Sequence, residues 1–172
     1  GETGLATTSE WENYPAISPD GTKILFCSKV PFSSDNDDIY IMNLDGSGKT
    51  QKTSSSTDDC PPTFSNDGRF AYARGSSNKQ IYIKNLNDSA STIGTLITTY
   101  SGASSFYHRD LAWSPIANVI TFSSNKDAIY SEIYRMDAIS GSMPVRLTNT
   151  SSYNSFPSWS PDGTKIAFST NR

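Results

Sequence analysis

Three features of the sequence predict an all-β fold assembled from repeated four-stranded sheets: a repeat of near-constant length, apolar runs alternating with period two, and turn residues at the ends of those runs. Four segments align, Tyr14–Gly21, Pro61–Gly68, Asp110–Ala117 and Phe156–Gly163. Their anchor serines, Ser18, Ser65, Ser114 and Ser160, are spaced 47, 49 and 46 residues apart. A short apolar run follows each anchor (24–26, 70–72, 119–122 and 166–168), and a second follows in the first three units (38–44, 80–86 and 132–137). Runs of this length, rich in β-branched and aromatic residues and bounded by Gly, Pro and Asp, read as strands. Four strands recurring every 46–49 residues is the period of a propeller blade. The expected fold is therefore a β-propeller segment of about 3.5 blades, an incomplete ring.

Each element has a local reason. Strand A ends at the anchor serine, and strand B starts after the Pro-Asp-Gly that follows it at 19–21 and 161–163. Proline presets φ and glycine accepts positive φ, so these residues close a tight turn. Strand C carries Ile-Tyr at 39–40, 81–82 and 133–134, and a threonine-rich stretch then ends near Thr53, Thr98 and Thr148 as strand D. The units run over about 5–53, 54–98, 99–148 and 149–172, the last partial, because Leu5–Ser9 matches Leu147–Ser151 three periods on. Residues 1–4, Gly-Glu-Thr-Gly, read as an expression remnant outside the fold.

The pattern Ser-Pro-Asp-Gly-Thr-Lys-Ile-x-Phe at 18–26 and 160–168, with Asp-Ile-Tyr-Ile-Met-Asn-Leu-Asp-Gly at 38–46, resembles the WD-like repeat of TolB-type β-propellers. The resemblance covers residues 5–172; unit 3 departs from it with Ile116-Ala-Asn118 at the turn, and unit 2 with Asn66 in place of proline. It implies that strand A is the innermost strand of each blade. It also implies a module that binds proteins or small ligands, in some cases beside a separate catalytic domain. A fold does not by itself supply a function.

Alternating strands put the A–B turns on one face and the longer B–C and D–A loops on the other, where binding residues concentrate. Seven residues before each anchor stand Trp11, Asp58, Tyr107 and Tyr153; six before, Glu12, Asp59, His108 and Asn154; four before, Tyr14, Pro61, Asp110 and Phe156. With strand A innermost, these positions are expected to ring the mouth of the central channel. Aromatics beside carboxylates and amides suit a protein loop or a glycan, while the plainer reading has Tyr14 and Phe156 packing between blades. The ligand-binding candidates are Trp11, Glu12, Tyr14, Asp58, Asp59, Tyr107, His108, Asp110, Tyr153 and Asn154.

Composition narrows the classes. Charged residues are 18% of the chain and hydrophobic residues 35%, while 29 Ser and 17 Thr fill 46 of 172 positions. Twenty aromatic residues (8 Phe, 9 Tyr and 3 Trp) argue against disorder. A net charge of −3 without a basic stripe argues against nucleic acid, and no apolar run is long enough to span a bilayer. The two cysteines, Cys27 at the end of strand B and Cys60 at the start of the next strand A, lie at the same face of adjacent blades. A Cys27–Cys60 disulfide is expected, against the alternative of two separate buried thiols; with it goes an extracellular or periplasmic location. Asn87-Asp-Ser89 and Asn149-Thr-Ser151 are glycosylation sequons.

Catalytic chemistry finds little support. The single histidine, His108, has no nucleophile elbow to serve, and one His with two paired Cys cannot furnish a zinc site. Asp35, Asp37 and Asp38 could offer oxygens to Ca²⁺, but the Gly and distal Glu of a full loop motif are missing. The expected function is a non-catalytic binding or scaffold module recognising a protein or glycan through the long-loop face. The alternative is the accessory propeller of a larger hydrolase-type enzyme. Self-association that completes the ring is expected from the unclosed apolar edge.

Overall fold

The computed structural model describes residues 10–29, 36–98 and 106–172. Within them every regular element is a strand. β1 (Trp11–Ile17), β2 (Lys23–Lys29), β3 (Asp38–Asn43) and β4 (Thr50–Gln51) form one antiparallel sheet in chain order. β5 (Asp59–Phe64), β6 (Arg69–Arg74), β7 (Gln80–Asn85) and β8 (Thr95–Leu96) form the second; β9 (His108–Trp113), β10 (Val119–Ser124), β11 (Glu132–Asp137) and β12 (Val145–Arg146) form the third. β13 (Asn154–Trp159) and β14 (Ile166–Thr170) make a two-stranded sheet. The sheets pack side by side through their first strands, β1 on β5, β5 on β9 and β9 on β13, as blades around an axis, and none closes a ring.

The turns are built by side chains. In the first blade the Ser18 hydroxyl donates to Asp20 at 2.6 Å, Asp20 accepts the Thr22 N–H at 3.0 Å, and Gly21 takes φ +70°. The fourth blade repeats this with Ser160, Asp162 and Gly163 at φ +65°. These hydrogen bonds hold the Asp20 carboxyl down to about 2. In unit 3 the Ser114 hydroxyl instead accepts the Ala117 N–H at 3.2 Å, so the turn survives the loss of Asp-Gly.

The strand-D threonines have one job in three blades. Thr53, Thr98 and Thr148 each accept the N–H of the strand-C isoleucine, Ile39, Ile81 and Ile133, at 2.9, 2.8 and 2.9 Å. Each donates in turn to the residue before it, Asp38, Gln80 or Glu132. The outermost strand is only two residues long, so this side-chain link supplements the few ladder bonds that hold it.

Apolar faces meet between blades. Leu25 and Ile39 pack with Phe64, Phe70 and Tyr72 between the first and second. Ala71, Ile81, Ile83 and Ile97 pack with Trp113, Ile120, Phe122 and Tyr134 between the second and third. Cys27 and Cys60 are joined in a disulfide that ties β2 to β5, with their Cα atoms 6.0 Å apart. No helix among the described residues is long and apolar enough to cross a membrane.

Candidate binding site at the blade axis

Strand A carries the same irregularity in every blade. The pairing of β1 with β2 skips between Asn13 and Ala16, β5 with β6 between Asp59 and Pro62, β13 with β14 between Ser155 and Ser158, and β9 with β10 opposite Phe122. At each place two residues oppose one, a β-bulge, which re-aims the side chains that follow it. The residue four before the anchor sits in it. Tyr14, Asp110 and Phe156 take φ +51°, +54° and +53°, a left-handed conformation uncommon outside glycine. The second blade has Pro61 at this position, after a cis Cys60–Pro61 bond.

The bulges turn these residues toward the axis. Tyr14, Pro61, Asp110 and Phe156, with Pro15, Pro62, Leu111 and Pro157 beside them, line a cavity of 290 Å³ between the four inner strands. It adjoins a second cavity of 270 Å³ at the long-loop face, where Tyr14, Pro61 and Asp110 are joined by Asp37, Lys79, Tyr107 and Arg109. Phe156 and Tyr14 remain 62% and 50% exposed, so they do not serve as packing between blades. Asp110 accepts the Ser123 hydroxyl at 2.5 Å. The Arg109 guanidinium carbon lies 3.8 Å from the centre of the Tyr107 ring.

Of the ten candidates, Tyr14, Tyr107 and Asp110 line these cavities. Asp58 stands nearby, 3.9 Å from the Lys79 ammonium, and accepts the Asp37 N–H at 3.3 Å. Trp11 and Tyr153 are exposed but line neither cavity; Tyr153 meets Tyr130 edge to face at 5.0 Å. Glu12 is held by Lys49 at 3.0 Å.

Asp59, His108 and Asn154 are fully buried and are not available to a ligand. Asp59 takes both arms of Arg74 at 2.6 and 2.7 Å. Asn154 donates to Glu132 at 2.8 Å. His108 pairs through Nδ1 with the Ser124 hydroxyl at 2.9 Å and packs between Phe106 and Phe122, while Nε2 has no partner. Burial, followed by the charge of Lys126, pushes the His108 imidazole down to about 4. The Ser124–His108 pair is thus sealed from any substrate, and Asp110 is engaged by a different serine. The physical reason for the split is parity. Simple alternation puts positions six and four before the anchor on one side of the strand, and the extra residue of the bulge sends them to opposite sides.

Of the proposed calcium ligands, Asp35 lies outside the described residues. Among those described, no group of three or more His, Cys, Asp or Glu is placed to hold a metal. Asp37 and Asp38 are pushed up chiefly by burial and next by Asp58 and Asp59 respectively. Arg109 and Lys79 also line the site, and no repeated position marks either of them. The basic residue five before the anchor is unique to unit 3, where the other units have Asn13, Cys60 and Ser155.

Two larger cavities lie toward the turn face. One of 540 Å³ continues the channel between Ile17, Pro19, Trp113, Pro115 and Pro161. The other, of 410 Å³, lies between the second and third blades over buried Lys84, whose ammonium is used up on the carbonyls of Lys52, Ser89 and Ala90 at 2.6, 2.7 and 3.3 Å. Neither has left-handed backbone at non-glycine residues or an uncommitted charge facing it, which is why the long-loop end is the better candidate.

No protein-family model and no curated protein matches the chain. Among solved structures it is similar to TolB from Acinetobacter baumannii, at 26% identity and a TM-score of 0.74, covering 95% of this chain and 39% of that one. It is also similar to the putative TolB from Agrobacterium tumefaciens, at 23% identity and a TM-score of 0.68, covering 95% and 55%. An oligogalacturonate lyase in complex with manganese shares the fold at 13% identity and a TM-score of 0.65, covering 94% and 47%. The chain therefore spans from two fifths to just over half the length of these structures. Repeat, blade order and these likenesses together show that the chain has a TolB-like β-propeller fold.

Proposed function

We propose that the chain is a non-catalytic binding module that takes a protein or glycan ligand at the axial cavity of its long-loop face, outside the cytoplasm. One observation carries this reading. Three blades hold a non-glycine residue in the left-handed region at the same position, and the two aromatics among them stand exposed in the channel. Such a conformation costs about 1–2 kcal/mol per residue, and backbone strain of this kind gathers at ligand sites. The Cys27–Cys60 disulfide supports the location, since structural disulfides persist in oxidising compartments. The alternative, an accessory propeller of a hydrolase-type enzyme, uses the same cavity and differs in what the parent chain carries.

The test is to present the immobilised chain to a glycan array and to a displayed peptide library, then repeat with Tyr14→Ala and Phe156→Ala. Selective binding that both substitutions weaken supports the axial site. Binding that neither changes removes it.

A further inference from the structure

The axial cavity discriminates between ligand classes by what it lacks. Its walls below the mouth are mostly apolar, Pro15, Pro61, Pro62, Leu111 and Pro157 with the Tyr14 and Phe156 rings between, and polar only at Asp110 and Ser158. Proline has no N–H, so few donors face the channel. A glycan ring would bring several hydroxyls that lose water there with only Asp110, Ser158 and the Tyr14 side chain to meet them, and an unmade hydrogen bond costs more than a made one contributes. An apolar side chain has no such requirement.

The mouth supplies one uncommitted cation among the described residues, beside the Asp37 carboxylate, which has no hydrogen-bond partner there either. Arg109 is exposed at the cavity and stacked on Tyr107 at 3.8 Å, so its fork is held in place with its N–H groups open. Among the described residues its guanidinium has no carboxylate in ion-pair range and no hydrogen-bond acceptor. Two of its neighbours are already engaged. Lys79 faces Asp58 at 3.9 Å and donates to the Cys60 carbonyl at 3.4 Å, and Asp110 accepts from Ser123. Asp37 and Asp110 share this mouth, so a ligand carboxylate is admitted only in direct contact with the Arg109 fork, where the attraction is at its shortest range.

We infer that the axial site takes an acidic peptide, with an apolar side chain in the channel between Tyr14, Leu111 and Phe156 and a carboxylate on Arg109. This rests on the axial reading above and names its ligand class. The carboxylate comes either from the peptide's C-terminus or from an Asp or Glu side chain.

The test uses a library of displayed heptapeptides selected on the whole chain, with the best binders resynthesised with free and amidated C-termini and with each Glu or Asp changed to Gln or Asn. Affinities are read by fluorescence polarisation on the chain and on Arg109→Gln, Arg109→Lys and Phe156→Ala, whose folding is checked by thermal melting. The expected result is enrichment of acidic peptides with one apolar residue. Arg109→Gln then weakens binding about 10- to 100-fold, Arg109→Lys restores part of it, and either amidation or the Gln/Asn change gives the same loss, which identifies the carboxylate. Neutral or basic peptides that bind through Phe156 regardless of Arg109 overturn the acidic specificity and leave the axial site standing. Binding confined to glycans overturns the peptide class. Failure of peptides and glycans alike counts against the inference and the axial reading together.

Discussion

Acid should destabilise this protein through His108 well before the low-lying carboxyls of Asp20 and Asp67 are protonated. The imidazole is fully buried, and burial lowers it from 6.5 to about 4, with Lys126 adding to the effect and Asp127 opposing it. The folded state therefore keeps His108 neutral in a range where the unfolded chain takes up a proton. A depressed histidine contributes its stability above the unfolded value and loses it as pH falls from 6.5 toward 4. The gap corresponds to a total loss of about 3 kcal/mol, of which about 2 kcal/mol is gone by pH ~5. Asp20 and Asp67, both near 2, titrate below this window, and the raised carboxyls of Asp37 and Asp38 act with the opposite sign. In urea titrations between pH ~7.5 and ~4.5 the midpoint should fall by about 1 M, and His108→Asn should flatten that slope whatever its stability at neutral pH. Because the chain has one histidine, a single imidazole resonance in the NMR spectrum reports the same group directly. A titration midpoint at 6 or above, or a urea midpoint unchanged across the window, would refute the burial argument.

Three other perturbations follow from particular contacts. Reduction of Cys27–Cys60, which are 33 residues apart, should cost about 4 kcal/mol in the chain-entropy model; an unchanged urea midpoint in reductant would show that the bond constrains little. Glu132 is fully buried and holds Arg146 at 2.8 Å, Asn154 at 2.8 Å and the Thr150 N–H at 2.7 Å. Glu132→Ala strands these partners and should cost about 3–5 kcal/mol, read by thermal melting, with Glu132→Gln milder. Phe156→Gly should leave stability equal or raise it by up to about 1 kcal/mol, since glycine accepts φ +53° and the ring is largely exposed; a loss above about 1 kcal/mol would mean the ring packs after all.

Much of the fold was legible because the repeat is a matter of spacing. The anchor serines, the Asp-Gly turns and the strand-C isoleucines recur at constant offsets, and each maps to a local hydrogen bond, such as Ser18 to Asp20 or Thr53 to Ile39. The disulfide was readable for the same reason, since strand order placed both cysteines at one face of adjacent blades. The candidate site was only half legible. Tyr14, Tyr107 and Asp110 line the axial cavities, whereas Asp59, His108 and Asn154 turn inward to Arg74, Ser124 and Glu132.

What the amino-acid order determines by itself is therefore the blade: its strands, its turns and the period that repeats them, all set by contacts within about fifty residues. Which side of strand A a residue faces was decided only in the folded molecule. One extra residue in the bulge reverses the parity of everything before it, and no propensity of Tyr14 or Phe156 announces a positive φ. Arg109 became a site residue in the same way, because its place beside Asp37, Lys79 and Tyr14 at the axial cavity exists only once the inner strands stand around one axis.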